Sequence, residues 1–241
     1  MKPNVATALS GAIAASVCYF PGHMRIAPLL LLAALSTAAA ACGKSNPPGP
    51  PSSGTDSLTD LGYLTGVASR GPYGDVTFYP NTDILVGDLD GYQPNETLRG
   101  IVTFNIKAIP QKATIDAATL QLAQCADSGA PYSLGSILVD QVPVMTAPDS
   151  AIYDTLAINA GIATLATDTT LGIKTATVTS SVAGMRAAGD TLIQFRLRFS
   201  GADGNNNGIS DYAAFSPDSG LATICSPFVT GHRPYLIVSF Q

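Results

Sequence analysis

Alternation with period two is the dominant pattern in this chain, and it is cleanest over residues 192–199, LIQFRLRF. Ile193, Phe195, Leu197 and Phe199 fall on one face and Gln194, Arg196 and Arg198 on the other, which predicts a half-buried strand. Similar runs predict strands over 75–80, 84–87, 98–106, 113–124, 134–142, 212–215, 222–225 and 235–240, with turn residues between them. One short helical turn is expected over 182–188, with Ser180 or Ser181 placed to cap it and Gly189 to end it. Residues 143–175 show no clear period; a connection of that length carries function or covers an open end of a sheet. About ten short strands, closely spaced turns and hardly any helix predict one all-β domain over residues 58–241, an antiparallel β-sandwich of jelly-roll type.

Composition supports that class. Only 12 % of the 241 residues are charged, and Glu96 is the one glutamate, whereas Thr, Ser, Asn and Gly are abundant. Few helix formers beside many β-branched and turn residues favour sheet.

The N-terminal part follows different rules. Met24 and Arg25 precede an apolar run, residues 26–41, that closes in small residues before Cys42. A short positive region, an apolar core and an Ala-rich cleavage zone predict a secretory signal, and the run falls short of the ~20 residues of a membrane crossing. Residues 1–42 are therefore expected to be removed or lipidated, with Met24 as the working start. The stretch 35–42, LSTAAAAC, resembles a bacterial lipoprotein signal, which implies lipidation of Cys42; an ordinary cleaved signal is the alternative. Residues 43–57, GKSNPPGPPSSGTDS, form a Pro/Gly/Ser-rich tether. Together these predict a domain held at the cell envelope by a lipid anchor, in the periplasm or on the surface.

Without residues 1–42 the chain keeps 10 basic and 17 acidic residues, a net charge of −7. No basic stripe is present to neutralise phosphates, so nucleic acid is excluded as a partner. Cys125 and Cys225 remain as an even pair in an oxidising compartment, which predicts a disulfide, with two buried thiols as the alternative.

Two groups of residues carry candidate chemistry. In residues 203–211, DGNNNGISD, Asp203, Asn205, Asn207 and Asp211 stand at positions 1, 3, 5 and 9 around Gly208, and Ile209 can offer its carbonyl. Calcium takes six to eight oxygens from a tightly curled backbone, and this spacing supplies them, so a structural Ca²⁺ is expected. The competing reading is a tight connection whose Asn and Gly residues accept positive φ. Tyr73, Tyr79 and Tyr92 fall in loop-like stretches where aromatic rings can serve as platforms for a sugar, although tyrosines also serve core packing. Arg196 and Arg198 can hold an acidic sugar or pair with an Asp across the sheet. His232 is the single histidine after residue 42, no serine elbow is recognisable, and no phosphate loop opens a helix, so no catalytic residue is assigned.

Residues 99–106 (RGIVTFNI), Ile109-Pro110, and 113–122 (ATIDAATLQL), followed by Gln194-Phe-Arg-Leu-Arg-Phe199 and 233–240 (RPYLIVSF), resemble the framework of DNRLRE-type modules. These are similar to carbohydrate-binding and disaggregatase-related jelly rolls of secreted bacterial proteins. The resemblance implies a non-catalytic module, in some members polysaccharide-binding, and a polysaccharide is therefore the expected ligand. A structural or adhesive envelope protein is the second expectation, and a polysaccharide hydrolase or lyase the third.

Overall fold

Strand pairing, rather than any single motif, gives the chain its architecture. The computed structural model describes residues 56–62, 64–90, 94–145, 150–218, 223–225 and 232–241. In chain order the strands are β1 (Asp56–Leu61), β2 (Leu64–Arg70), β3 (Val76–Pro80), β4 (Ile84–Asp88), β5 (Thr97–Asn105), β6 (Ile115–Ser128), β7 (Ile137–Val142), β8 (Asn159–Ala166) and β9 (Gly172–Thr177). Helix α1 (Thr179–Ala188), then β10 (Leu192–Phe199), β11 (Tyr212–Phe215) and β12 (Tyr235–Phe240) complete the set. The leader, Cys42, the tether as far as residue 55, and Tyr92 lie outside the described residues.

All pairs are antiparallel, and they run β1-β12-β6-β11-β4-β5-β10-β7-β8. β9 joins β6, and the β2–β3 hairpin joins β5 on the edge opposite β10. The β4–β5 ladder has only two registered pairs, Gly87↔Leu98 and Asp88↔Thr97. At that corner the sheet curls over, so the fold is an all-β, sandwich-like one with a single α-helix among the described residues, as the alternation predicted.

The enclosed core takes the inward set of nearly every strand: Val102 and Phe104 of β5, Leu120 and Leu122 of β6, all four inward residues of β10, Phe215 of β11, and Leu236 and Val238 of β12. Phe104, Phe195, Phe199 and Phe215 are essentially fully buried, and each such side chain contributes about 1.5–3 kcal/mol relative to exposure. The Cys125–Cys225 disulfide forms, with Cα atoms 5.5 Å apart and a sequence separation of 100.

Several boundaries differ from expectation. β10, β11 and β12 match residue for residue, whereas β1 starts inside the stretch read as tether. β2 and the pair β8 and β9 were not anticipated. Residues 223–225 form a bend, not a strand. α1 begins at Thr179 after Val178, without a side-chain cap, and ends on Gly189 in the left-handed region (φ 89°). Its start is set by packing instead: Val178 and Val182 are in the core.

Candidate functional site

Three places gather the polar residues, and the sheet corner organises them. The first is the 203–211 connection from β10 to β11. Asp211 is its hub: Oδ1 accepts the Ala130 N–H (2.5 Å), and Oδ2 accepts the side-chain amides of Asn205 (2.7 Å) and Asn207 (2.9 Å). The backbone of Asp211 pairs with β4, its N–H donating to Asp88 Oδ1 (2.9 Å) while its carbonyl accepts from Asp88 N–H (3.0 Å). Two glycines make that approach possible. A Cβ on Gly87 would lie 2.1 Å from the Asp211 carbonyl oxygen, and one on Gly129 would lie 2.0 Å from Asp211 Oδ1. Burial alone would raise the Asp211 pKa, but the donors from Ala130, Asn205 and Asn207 outweigh it and hold the carboxyl below its ordinary value.

The spaced asparagines also bond within the loop. Asn205 Oδ1 accepts Asn207 N–H (3.2 Å), and Asn207 Oδ1 accepts Ile209 N–H (2.7 Å). Asn206, between them, has φ 59°. These are side-chain turns of the kind Asn and Asp make in tight connections. Asp203 points elsewhere: Oδ2 accepts Arg99 Nε (3.0 Å), Arg99 Nη2 (2.6 Å) and the Tyr153 hydroxyl (3.0 Å). The structure thus brings Asn205, Asn207 and Asp211 together and gives Asp203 to an arginine. Among the described residues no three His, Cys, Asp or Glu side chains converge in a metal-binding group.

The second place is the outward face of β5, β10 and β7, which carries Arg196 and Arg198. It is not open. The connection after β7 straps across it, placing Ile152 and Tyr153 against Ala68 and Ile101. Arg196, only 6 % exposed, stands opposite Asp140 in the β10–β7 register and bonds it (Nη2 to Oδ2, 3.0 Å). Its Nη1 donates to the carbonyls of Tyr153 (2.9 Å) and Thr155 (2.7 Å), tying the strap down. Arg198 Nε reaches the same Asp140 oxygen at 2.9 Å. Of the two roles open to these arginines, cross-strand pairing with an aspartate is the one present. Burial by itself would raise the Asp140 pKa; Arg198, the Gly161 N–H and Arg196 outweigh it and keep the carboxyl below its ordinary value. Two guanidinium groups stand over the Tyr153 ring, Arg70 at 4.3 Å and Arg99 at 4.2 Å from its centroid. Burial and the Asp203 carboxylate push its phenol up to about 12.

The third place is a cavity of about 290 Å³ on the other face of the β2–β3 hairpin. Its floor is apolar, including Val67, Leu85, Leu98 and Ile224, and its polar lining includes Ser69, Tyr79, Thr82, Asp83, Glu96 and Thr223. The Ser69 hydroxyl donates to Glu96 Oε1. Tyr79, 46 % exposed, sits across from Val67 in the hairpin register. Asp83 is different in kind. Its Oδ2 accepts Thr223 N–H (2.8 Å), Thr223 Oγ1 (3.0 Å) and Ile224 N–H (2.8 Å), and its Oδ1 accepts Cys225 N–H (3.2 Å). That carboxylate fixes the wall that the disulfide also holds. Tyr73, 95 % exposed, is on the β2–β3 turn, apart from the cavity lining. His232 is exposed before β12. Neither Glu96 nor Asp83 was picked out by sequence reasoning, because neither belongs to a local motif; the only signal was that Glu96 is the sole glutamate.

Comparison of the chain with protein-family models and with curated proteins gave no match. No helix among the described residues is long and apolar enough to cross a membrane.

Proposed function

We propose that this is an exported, lipid-anchored module of the cell envelope that binds polysaccharide without cleaving it, through the cavity beside Tyr79. The carrying observation is the make-up of that cavity. An apolar floor suits the C–H face of a sugar ring, Tyr79 offers a partly exposed aromatic edge, and Ser69 with Glu96 offers polar groups that fix hydroxyls. A volume near 290 Å³ is at the small end for ligand pockets and fits one ring of a chain. Among the described residues the lining holds carboxylates and no cation, which favours a neutral or amino sugar over an acidic one. The anchor rests on the Cys42 motif and the tether, and the choice of ligand class on the resemblance to DNRLRE-type modules.

The non-catalytic reading is supported by Asp83. Glycoside hydrolysis uses two carboxyl groups free to move protons. Both Asp83 oxygens are occupied by donors from 223–225, which leaves Glu96 without a free partner acid among the described lining residues. Isothermal titration against neutral and amino-sugar oligosaccharides tests the proposal. Binding lost in Tyr79→Ala and Glu96→Gln, with no reducing ends released, is the expected result. Binding that survives both substitutions, or steady release of reducing ends, would overturn it. Metabolic labelling with a palmitate analogue tests the anchor; unchanged label in Cys42→Ala refutes it.

A second reading, an adhesive envelope protein that contacts other proteins, is favoured by one surface. The outward positions registered across β1, β12, β6 and β9 include Thr59, Ile237, Thr119 and Thr177, with Ile173 and Thr175 alongside, and none is charged. Concentration-dependent association that vanishes in Ile173→Lys, in a protein that binds no glycan, would replace the first reading with this one.

A further inference from the structure

The sequence holds one Asn-Gly pair, Asn207-Gly208, and it lies in the connection that braces the sheet corner. Both residues are exposed. Gly208 is in the left-handed region (φ 76°), with open space where a Cβ would stand. An asparagine amide is ordinarily inert toward the next peptide nitrogen because the next side chain crowds the approach; a glycine removes that obstacle. The Asn207 side chain is held at both ends. Its Oδ1 accepts Ile209 N–H (2.7 Å), and its Nδ2 donates to Asp211 Oδ2 (2.9 Å). The first bond closes a side-chain turn around the Gly208 peptide, which brings the amide carbon round toward the Gly208 nitrogen. The same N–H draws electron density from the amide carbonyl, as a donor aimed at a developing oxyanion does.

We propose that Asn207 is a self-modifying site, deamidated by its own neighbour. The Gly208 nitrogen loses its proton and forms a bond to Asn207 Cγ. The Cγ–Nδ2 bond breaks, and Nδ2 leaves with a proton as ammonia. The five-membered imide left behind is opened by water at either carbonyl. Opening at Cγ gives aspartate, and opening at the main-chain carbonyl gives isoaspartate, with the backbone rerouted through Cγ. One water enters and one ammonia leaves, with no change of oxidation state. Either product puts an anion where a donor stood. Asp211 is only 2 % exposed, and its Oδ2 relies on the amides of Asn205 and Asn207. A second carboxylate there repels it, in a setting that water screens poorly. The connection then loosens its hold on the residue whose backbone pairs with Asp88 of β4. Conversion is a one-way clock on that corner, and it needs no ligand in the cavity.

Ageing the folded protein at mildly alkaline pH without saccharide, followed by peptide mapping that separates aspartate from isoaspartate, reads the site. Asn207 should convert before any other asparagine, with isoaspartate among the products. The rate should rise with pH, because the attacking nitrogen must first lose its proton. The converted chain should unfold at a lower urea midpoint than fresh protein, and fresh Asn207→Asp should show a shift in the same direction. Asn207→Ser has no amide to lose, so its ammonia release on ageing should fall below that of the wild type. Conversion at Asn207 no faster than at Asn105 or Asn159 overturns the proposal. So does aspartate as the sole product, which marks direct attack by water, or a converted chain as stable as the fresh one.

Discussion

The two faces of the sheet region around β2, β3 and β5 have opposite fates. One face carries cations, Arg70, Arg99, Arg196 and Arg198, and the chain closes it with its own strap, satisfying guanidinium groups with Asp140, Asp154, Asp203 and backbone carbonyls. The other face carries carboxylates over an apolar floor and is left as a cavity. A guanidinium has five donors in a fixed fork, so one arginine can hold several carbonyls of a passing segment, as Arg196 does. A carboxylate only accepts, and a half-buried one such as Glu96, with one oxygen on Ser69, keeps the other for a hydroxyl. The contrast shows why arginines on a strand's polar side are poor evidence for a ligand: the protein itself competes for their donors.

The sharpest way to break the comparison is to strip the closed face of its acid. Asp140→Ala leaves Arg196 buried without its partner, and breaking a buried pair from one side costs about 3–5 kcal/mol. Urea denaturation should show that loss, with release of the strap detected as protease cleavage near residue 155. Removal of the disulfide in the Cys125→Ala/Cys225→Ala variant acts on the open face instead. The expected cost is about 2–4 kcal/mol, together with weaker saccharide binding because Thr223 and Ile224 line the cavity. Asp83→Ala frees three backbone N–H groups of the same wall and should cost about 1–3 kcal/mol. Tyr79→Ala, at a half-exposed position, should change stability by less than about 0.5 kcal/mol while abolishing binding. A large stability loss there would mean that Tyr79 is a structural residue.

Acid sharpens the same contrast. The Asp140 carboxyl sits below its ordinary value in the folded state. Its contribution is therefore fully present above the unfolded pKa of ~3.9 and is lost as pH falls through the lower folded value. Asp88 is shifted the other way, so protonation relieves it, and it opposes that loss as pH falls toward the ordinary range. In Asp140→Asn the decline of stability between about pH 5 and pH 2 should be shallower than in the wild type.

The fold was largely legible because strand periodicity is local. β10 alternates without a fault, and its four inward residues are all in the core. β8 and β9 escaped because their exposures follow no strict alternation: β8 begins with three exposed residues, and β9 buries only Ala176. β2 has a clear pairing but holds Gly66 and small side chains, which give no apolar–polar alternation to mark it. The site was less legible than the fold, since it depends on distant partners. Asp140 meets Arg196 across 56 residues, Asp83 meets Cys225 across 142, and Asp88 meets Asp211 across 123. Spacing within 203–211 correctly marked a special connection, yet could not show that Asp203 had been taken by Arg99.

The pairing of β1 with β12 has a consequence in time. Asp56 is registered with Phe240, so the first strand has no ladder until the last one arrives. β6, too, is completed only by β12 and by Cys225. Such non-local contacts make folding slow and leave the early strands unpaired during synthesis. For a chain threaded outward from its N-terminus, that delay is useful. Under the export proposed above, the segment would stay unfolded while it passes, and the order of synthesis would let the domain close only on the far side.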